Sequence, residues 1–582
     1  MNTRNRWLRW PAEAPGTGTG DSQTHRTADA ASNMIDMEKL RAYPTAPSVY
    51  YGEKRHTKSE EVLNWNSLPR KDQLAILFIS RFVDFFQVAS MQAYVFFQLK
   101  HFNERLSDAE VSQQAGILQG CFTGAQVLTA ILWGKAADAR WCGRKRVLLI
   151  GLAGTAISCL GYGFSTSFYE AVLWRMFGGA INGTVGIIRT MIAEVTVEKR
   201  YQSRAFLILP MSFNVAGIIG PVVGGLLADP IKSFPRLFGE AAVFESQWIY
   251  QNPYALPSII NAILLAISTV LVYLFLEETL VLRRRDFDFG LHLGHKIMAE
   301  RSPYSRDNPY RLISTGNDMP SVVQPVQSLR TKTTAKRLPF SRLWTRNVVF
   351  TLITGALYDF HLGSFTNIWT LFLSTPRYRS SNRDVQKRSL PLLFTGGLGM
   401  PAATVGMATS ILGILGMALQ MFCYPPIQAR LGTLRSFRWF LLLFPLAYFI
   451  VPYISILPSP TEPPAASGGL YIWAGIILVL FLHTSARTFT LPASIILLNN
   501  CSPHPSVLGT IHGLGQSVSA GFRTVGPVVG GRWYGFGLDI GMIAWGWWWT
   551  AAVSILTCLA ALGMHDGSGH EVFLDGEIDE KC

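Results

Sequence analysis

Charged side chains set inside apolar runs are the residues of this chain best placed to do chemistry. Arg81 and Asp84 follow the apolar stretch Leu74-Ala75-Ile76-Leu77-Phe78-Ile79-Ser80, and their i,i+3 spacing puts both on one helix face, where each neutralises the other. Such a pair either fixes helix packing or lines a polar pathway that binds substrate or a proton. Asp359 and His361 interrupt a second run, Leu357-Tyr358-Asp359-Phe360-His361-Leu362-Gly363. A carboxylate drawn out of water between helices takes up a proton more readily, which suits reversible proton loading. Asp84 and Asp359 are therefore the candidate coupling groups, expected to face each other across a central cavity. His361 points from a different helix face, as a bonded packing residue or a proton carrier. Arg175, Arg189 and Arg487 place cations in further apolar runs, and Arg189 with Glu194 reads as a gate pair or as a snorkelling arginine beside an interfacial glutamate. The sequence holds no HExxH, no paired catalytic carboxylates, no nucleophile with its base and no CxxC pair. The expectation is a protein that is not an enzyme, binds no metal and no cofactor, and draws its energy from a proton gradient.

The elements that must position these groups are membrane helices. Hydrophobic residues make up 49% and charged residues 15% of the 582, and their distribution decides the class. Twelve apolar runs of about 20 residues, the length that crosses a hydrocarbon core of roughly 30 Å, recur from 73–99 to 541–563. The pattern predicts an all-α membrane protein with twelve transmembrane helices. The net charge of +14 gathers in alternate loops, which by the positive-inside rule puts both termini in the cytosol and calls for no nucleic acid; the rule leaves the organelle open, and the plasma or vacuolar membrane is the expectation. One outer loop dissents with Arg377, Arg379, Arg383, Lys387 and Arg388. The order implied is a disordered cytosolic segment (1–71), a six-helix bundle (72–280), a flexible cytosolic linker (281–346), a second six-helix bundle (347–563) and an acidic cytosolic tail (564–582). Trp545, Trp547, Trp548 and Trp549 read as an interfacial belt or lipid-facing surface.

The two bundles carry a common signature. Gly220-Pro221-Val222-Val223-Gly224-Gly225 returns unaltered as Gly526-Pro527-Val528-Val529-Gly530-Gly531. The prolines bend a helix and the glycines let neighbouring backbones approach, so the motif supplies hinge and packing chemistry. Arg189-Thr190 and Arg487-Thr488 precede the two copies as a second echo. A chain that contains one unit twice suggests a transporter built from repeats.

Between the second and third runs lies Trp133-Gly134-Lys135-Ala136-Ala137-Asp138-Ala139-Arg140-Trp141-Cys142-Gly143-Arg144-Lys145-Arg146. Asp138 sits at the negative end of its own helix dipole, which is unfavourable unless a partner overrides it. Arg144, Lys145 or the N-terminus of the helix starting near Ser506 can provide that partner, and a turn tethered this way can break and re-form as two bundles rock. Arg430-Leu431-Gly432-Thr433-Leu434-Arg435 is a worn copy without the aspartate. The first stretch resembles the loop 2–3 signature of the major facilitator superfamily. Arg175-Met176-Phe177-Gly178-Gly179-Ala180-Ile181-Asn182-Gly183 is similar to its Arg-x-x-x-Gly element, and the Gly-Pro motif to that of its proton-coupled antiporters. The nearest likeness is to a fungal branch related to the zinc-induced facilitator-like drug:proton antiporters.

The resemblance, over about residues 72–563, implies a monomer in the lipid bilayer with a cavity between two bundles, alternating access, and proton-coupled export of a small organic compound. It also implies that Arg175 assists proton movement and that Gly134, Asp138, Gly143, Arg144 and Lys145 form a conformational latch. Two departures stand out. The spacing from Asp138 to Gly143 is longer than in the superfamily signature, and Leu276-Glu277-Glu278-Thr279-Leu280-Val281 stands where plant members carry Pro-Glu-Thr-Leu-His. The plant Cys-Pro-Gly-Cys is also absent, so zinc-linked transport is not implied. The rival readings are a uniporter or symporter for nutrient uptake and a membrane sensor, or transceptor, signalling through 281–346.

Overall fold

Apolar segments in lipid must satisfy every backbone donor and acceptor internally, which leaves helices as the solution for single runs. The computed structural model describes residues 70–196, 205, 208–238, 247–280, 283–284, 286–301, 339–378, 393–504, 507–567 and 572. The expected N-terminal segment to 69, most of the central linker, the basic residues Arg379, Arg383, Lys387 and Arg388 and the end of the acidic tail lie outside the described residues.

The helices are α1 (Lys71–Gln92), α2 (Asp108–Asp138), α3 (Arg144–Gly163), α4 (Phe168–Val195), α5 (Ile208–Leu227), α6 (Ala255–Phe275), α7 (Arg346–Ser374), α8 (Ala402–Leu431), α9 (Thr433–Ile456), α10 (Leu470–Asn500), α11 (Leu508–Asp539) and α12 (Ala544–Leu562). Eleven are long and apolar enough to cross a membrane. The exception, α11, is the longest at 32 residues and carries Arg523 and Arg532 among its glycines. Polar starts hold several helices: Ser107 and Glu110 form a capping box on α2, and Ser167 and Thr345 cap α4 and α7, satisfying first-turn N–H groups.

In the first half α1 packs on α5 and α6, α3 on α6 and α4, and α2 on α4. In the second, α7 packs on α11 and α12, α9 on α10 and α12, and α8 on α10. The main bridges between halves are α2 with α11 and α5 with α8.

The repeated motif builds these joints twice. Within the halves, Gly220 and Gly224 lie against Phe86, Ala89 and Ser90 of α1, and Gly526 and Gly530 against Phe360 and Ser364 of α7. Across the halves, Gly225 abuts the backbone of Ala402 and Ala403 on α8, and Gly531 abuts Ser112 and Gly116 on α2. The partner helices answer with glycines of their own: a Cβ at Gly406 would overlap the Pro221 carbonyl, and one at Gly116 the Pro527 carbonyl. Small residues thus bring backbones into contact where apolar side chains gain nothing over lipid.

Contact between halves is confined to part of the helix length. Gly116, Gly120 and Gly124 of α2 meet α11, while Gly134, nearer the α2–α3 turn, meets nothing within 4 Å; nor do Gly521 and Gly513 on α11. On the other bridge, contact ends where Asn214 Nδ2 donates to Gln420 Oε1 at 2.8 Å, a residue carried by a π-helical turn, Leu419–Cys423. The halves therefore close at the end remote from the α2–α3 turn and part toward it.

α8 continues past Tyr424-Pro425-Pro426, because after the π turn the prolines fall in the first turn of a new segment, where their missing N–H groups cost little. Two expectations need correction. Trp547 is not lipid-facing but fully buried against Phe365 and Phe372. Part of the supposedly flexible linker is a helix, Phe289–Arg301, with Gly290 and Gly294 set against the end of α6.

Candidate transport site

The first polar cluster depends on a break in α4. Asn182 and Gly183 separate two helical segments, Phe168–Ile181 and Thr184–Val195. The break frees carbonyls, and α2 satisfies two of them: Trp133 Nε1 donates to Ala180 O at 2.7 Å and Gln126 Nε2 to Asn182 O at 3.1 Å. Asp84 of α1 docks at the gap. Asn182 Nδ2 donates to Asp84 Oδ1 at 2.6 Å, Thr184 Oγ1 donates to Oδ2 at 3.0 Å, and Arg81 completes the ion pair. The carboxylate also faces the positive start of the second segment. All four side chains are buried. Asp84 is thus saturated by donors of its own half and does not pair across a cavity with Asp359.

The second cluster is open to solvent. Asp359 of α7 accepts from Arg523 Nη2 at 2.9 Å and from the Ser519 hydroxyl, both on α11. The Asp359 side chain is nearly enclosed, but that of Arg523 is 55% exposed although it lies mid-helix, consistent with an opening between the halves. Arg189 is also exposed. Arg81 lies over the Phe85 ring at 3.7 Å, Phe85 stands edge-on to Phe213 of α5 at 4.9 Å, and Arg487 of α10 lies over Phe213 at 4.2 Å. This chain of contacts ties the two halves together through rings and guanidiniums.

Other expected site residues are placed elsewhere. His361 is fully buried, its Nδ1 3.0 Å from the Tyr448 hydroxyl and its ring against Phe444 and Tyr358, which is the bonded packing arrangement. Arg175 is buried within the first half, over Phe122 at 4.2 Å and 3.5 Å from Gln87 Oε1. Glu194 pairs with Arg144 and not with Arg189, so the expected gate pair does not form.

The α2–α3 turn is clamped, though differently from the expectation. Asp138 is 74% exposed and touches only Arg144, at 3.4 Å, among its described ion pairs. The stronger tether is Glu278, after α6. Its carboxylate accepts from the backbone N–H of Arg144 at 3.2 Å and of Lys145 at 3.1 Å, capping α3 from another segment. Gly143 at φ 80 makes room, since a Cβ there would collide with Glu278. Lys145 Nζ pairs with Asp288 at 2.6 Å, and Arg283 donates to the Cys142 carbonyl. Gly134 has no neighbour within 4 Å of an added Cβ. In the second half Gly432, at φ 73, starts α9 as Gly143 starts α3.

Sequence reasoning left Ser519, Arg523, Asn182, Thr184, Phe213 and Glu278 outside the site. An Asn-Gly dipeptide within an apolar run, and serine and arginine at i,i+4 beside the second Gly-Pro motif, were the available signals.

Two six-helix halves that part at one end, with charged groups between them, have the architecture of a membrane transporter built from repeats. Residues 74–396 match the Major Facilitator Superfamily profile, and the chain belongs to that superfamily. It is 30% identical over 543 residues to the "Major facilitator superfamily multidrug transporter mfsB" of Aspergillus fumigatus, covering 88% of this chain and 86% of the relative. It is 24% identical over 446 residues to "Protein ZINC INDUCED FACILITATOR 1" of Arabidopsis thaliana (76% and 80% covered) and 25% identical over 425 residues to "Efflux pump azaK" of Aspergillus niger (73% and 73%). Among solved structures, that of a D-xylose-proton symporter superposes with a TM-score of 0.55 at 12% identity, covering 86% of this chain and 99% of the other.

Proposed function

We propose that the chain is a proton-coupled antiporter that exports a small organic compound by alternating access, with the α2–α3 end and both termini facing the cytosol. In this reading the structure is the inward-open state. The observation that carries it is the Asp359–Arg523 pair, a carboxylate held 2.9 Å from a guanidinium that is open to the cleft. A proton arriving on Asp359 weakens its hold on Arg523, so proton and substrate act on one charge neighbourhood, as exchange requires. Asp84, enclosed by three donors, is the second candidate. Export is favoured by two Aspergillus relatives, a multidrug transporter and an efflux pump. The orientation rests on the basic loops.

The test is substrate-induced proton movement in proteoliposomes holding the purified protein, across organic cations, anions and metal chelates, with Asp84→Asn and Asp359→Asn beside the parent. A compound whose movement drives proton flux that one Asn variant abolishes supports the reading and identifies the coupling residue. Compounds that cross with no proton movement in any variant sink the coupling and leave a uniporter.

A further inference from the structure

The helix that follows α6, Phe289–Arg301, is built like one that lies on a membrane surface. Gly290 stands against the Tyr273 carbonyl of α6, and Gly294, one turn on, against the Leu274 carbonyl. A full turn of the linker helix thus advances only one residue along α6, so the two cross steeply and the linker helix lies across the end of α6 rather than beside it. Asp288, just before this helix, pins it to the start of α3 by pairing with Lys145 at 2.6 Å. Phe289, Leu293 and Ile297 fall on one side of the glycine seat and Met298 on the other, all exposed, while His292 and His295 take the opposite face. These apolar flanks continue the exposed stripe Ile263, Ile267 and Val270 along α6, so one surface runs from the transmembrane span onto the crossing helix.

The same corner holds a groove. Leu149, Ile150 and Ala153 of α3 and Thr269, Val270 and Tyr273 of α6 line an apolar trough of about 390 Å3 on the lipid side of the first half. Tyr273 belongs to both the trough and the seat of the linker helix. Arg146 stands one turn before Ile150 on the same face of α3; it is exposed, pairs with no carboxylate among the described residues, and donates from Nη1 to the Trp141 carbonyl at 3.1 Å. Trp141, itself exposed, is of the residue type that settles at the boundary between membrane and water. We propose that this corner binds an anionic phospholipid from the leaflet on the α2–α3 side. One acyl chain lies in the trough, the phosphate meets Arg146, and the linker helix lies in the interface with its apolar flanks among the chains. Charge selects the headgroup: Arg146, Arg284 and Lys296 are exposed, whereas Asp286 and Asp288 are held by Arg283 and Lys145. The site requires that the chain span a membrane and depends on neither the cargo nor proton coupling.

Lipid binding to the purified full-length protein, titrated by native mass spectrometry, tests the trough. Dioleoylphosphatidylserine should bind in preference to dioleoylphosphatidylcholine. Arg146→Gln should raise its dissociation constant about fivefold, and Val270→Trp, which fills the trough from an exposed position, should weaken it at least as much. Arg342→Gln, on an exposed residue near the start of α7, should change nothing. Equal binding of the two lipids, or Arg146 and Val270 variants that hold phosphatidylserine as the parent does, overturns the site. Glycerophosphoserine, the headgroup without its chains, should compete poorly; competition equal to that of the intact lipid replaces the lipid site with a free-phosphate site. Nitroxides at Leu293→Cys and Ile297→Cys, compared with His292→Cys and His295→Cys, with the native cysteines replaced, read the seat of the linker helix in proteoliposomes containing phosphatidylserine. The first pair should be the more accessible to oxygen and the second to a water-soluble nickel chelate, and equal accessibility at all four positions overturns the interfacial seat.

Discussion

Replacing Gly406 by alanine tests how the two halves meet. The added methyl overlaps the Pro221 carbonyl oxygen and stands 2.8 Å from the carbonyl carbon and 3.4 Å from the Val222 Cα. These are backbone atoms of a packed helix, so no side-chain rotation relieves the clash, and overpacking of this kind costs about 1–3 kcal/mol. The cost applies only while α8 lies on α5 at the closed end. The better helix propensity of alanine, about 1 kcal/mol, acts on every state alike and cancels. The remainder shifts the balance toward a state open at that end by roughly 5- to 150-fold. Gly116→Ala, directed at the Pro527 carbonyl on the other bridge, acts in the same sense, and two sites on separate joints should add. Pulsed electron spin resonance can read the shift from nitroxides at Arg105→Cys and Glu462→Cys, on loops of opposite halves at the closed end, with the native cysteines replaced. The long-distance population should grow in each alanine variant. Gly217→Ala, where a Cβ meets nothing within 4 Å, should leave it unchanged. A folded Gly116→Ala, Gly406→Ala double variant with the parent distance distribution refutes the close-approach argument.

Asp84→Asn leaves Arg81 buried without its counter-charge, so the purified protein should lose about 3 kcal/mol or more of stability, seen as a lower thermal midpoint in detergent; an unchanged midpoint counts against a structural pair. Asp359→Asn frees a solvated guanidinium, so it should cost less than about 1 kcal/mol of stability while substrate-driven proton flux is lost. Glu278→Ala removes the acceptor of two N–H groups at the start of α3, worth about 1–2 kcal/mol. It should slow turnover more than Asp138→Asn does while leaving substrate binding in place, and equal turnover in both variants rejects the Glu278 clamp.

The number and order of helices were legible because each run must both span the bilayer and bury its own backbone, a demand on roughly 20 consecutive residues that composition alone reveals. The repeated motif announced close packing for the same reason, since glycine inside an apolar helix has few other uses. Its partners were not legible. Gly116 and Gly406 are ordinary glycines until Pro527 and Pro221 stand against them, and contact across more than 180 residues leaves no local trace. The charged groups divided likewise. Arg81 and Asp84 sit on one turn, so their pairing followed from spacing; Asp359 and Arg523 lie on different helices, so theirs did not. Asp138 drew notice by its awkward dipole, whereas Glu278, outside the turn it caps, gave no such signal. Trp547 was misread because a tryptophan near a helix end satisfies either an interface or a core, and only its neighbours Phe365 and Phe372 decide between them.

The two halves share their backbone joints and differ in their chemistry, and the difference bears on mechanism. Both copies of the motif place two glycines on a helix of the same half and one on a helix of the other, so each copy builds a joint within its half, α1–α5 or α7–α11, and a joint between halves, α5–α8 or α2–α11. The closed end is thus held by two joints of the same build, one from each repeat. Symmetric charges would work against coupling, because two equivalent carboxylates would respond alike in both states. Here Asp84 is saturated within its half while Asp359 shares its proton-accepting oxygens with an arginine open to the cleft. On the antiport reading Asp359 is the more responsive of the two carboxylates, because protonating it changes the charge balance at an arginine that the cleft exposes.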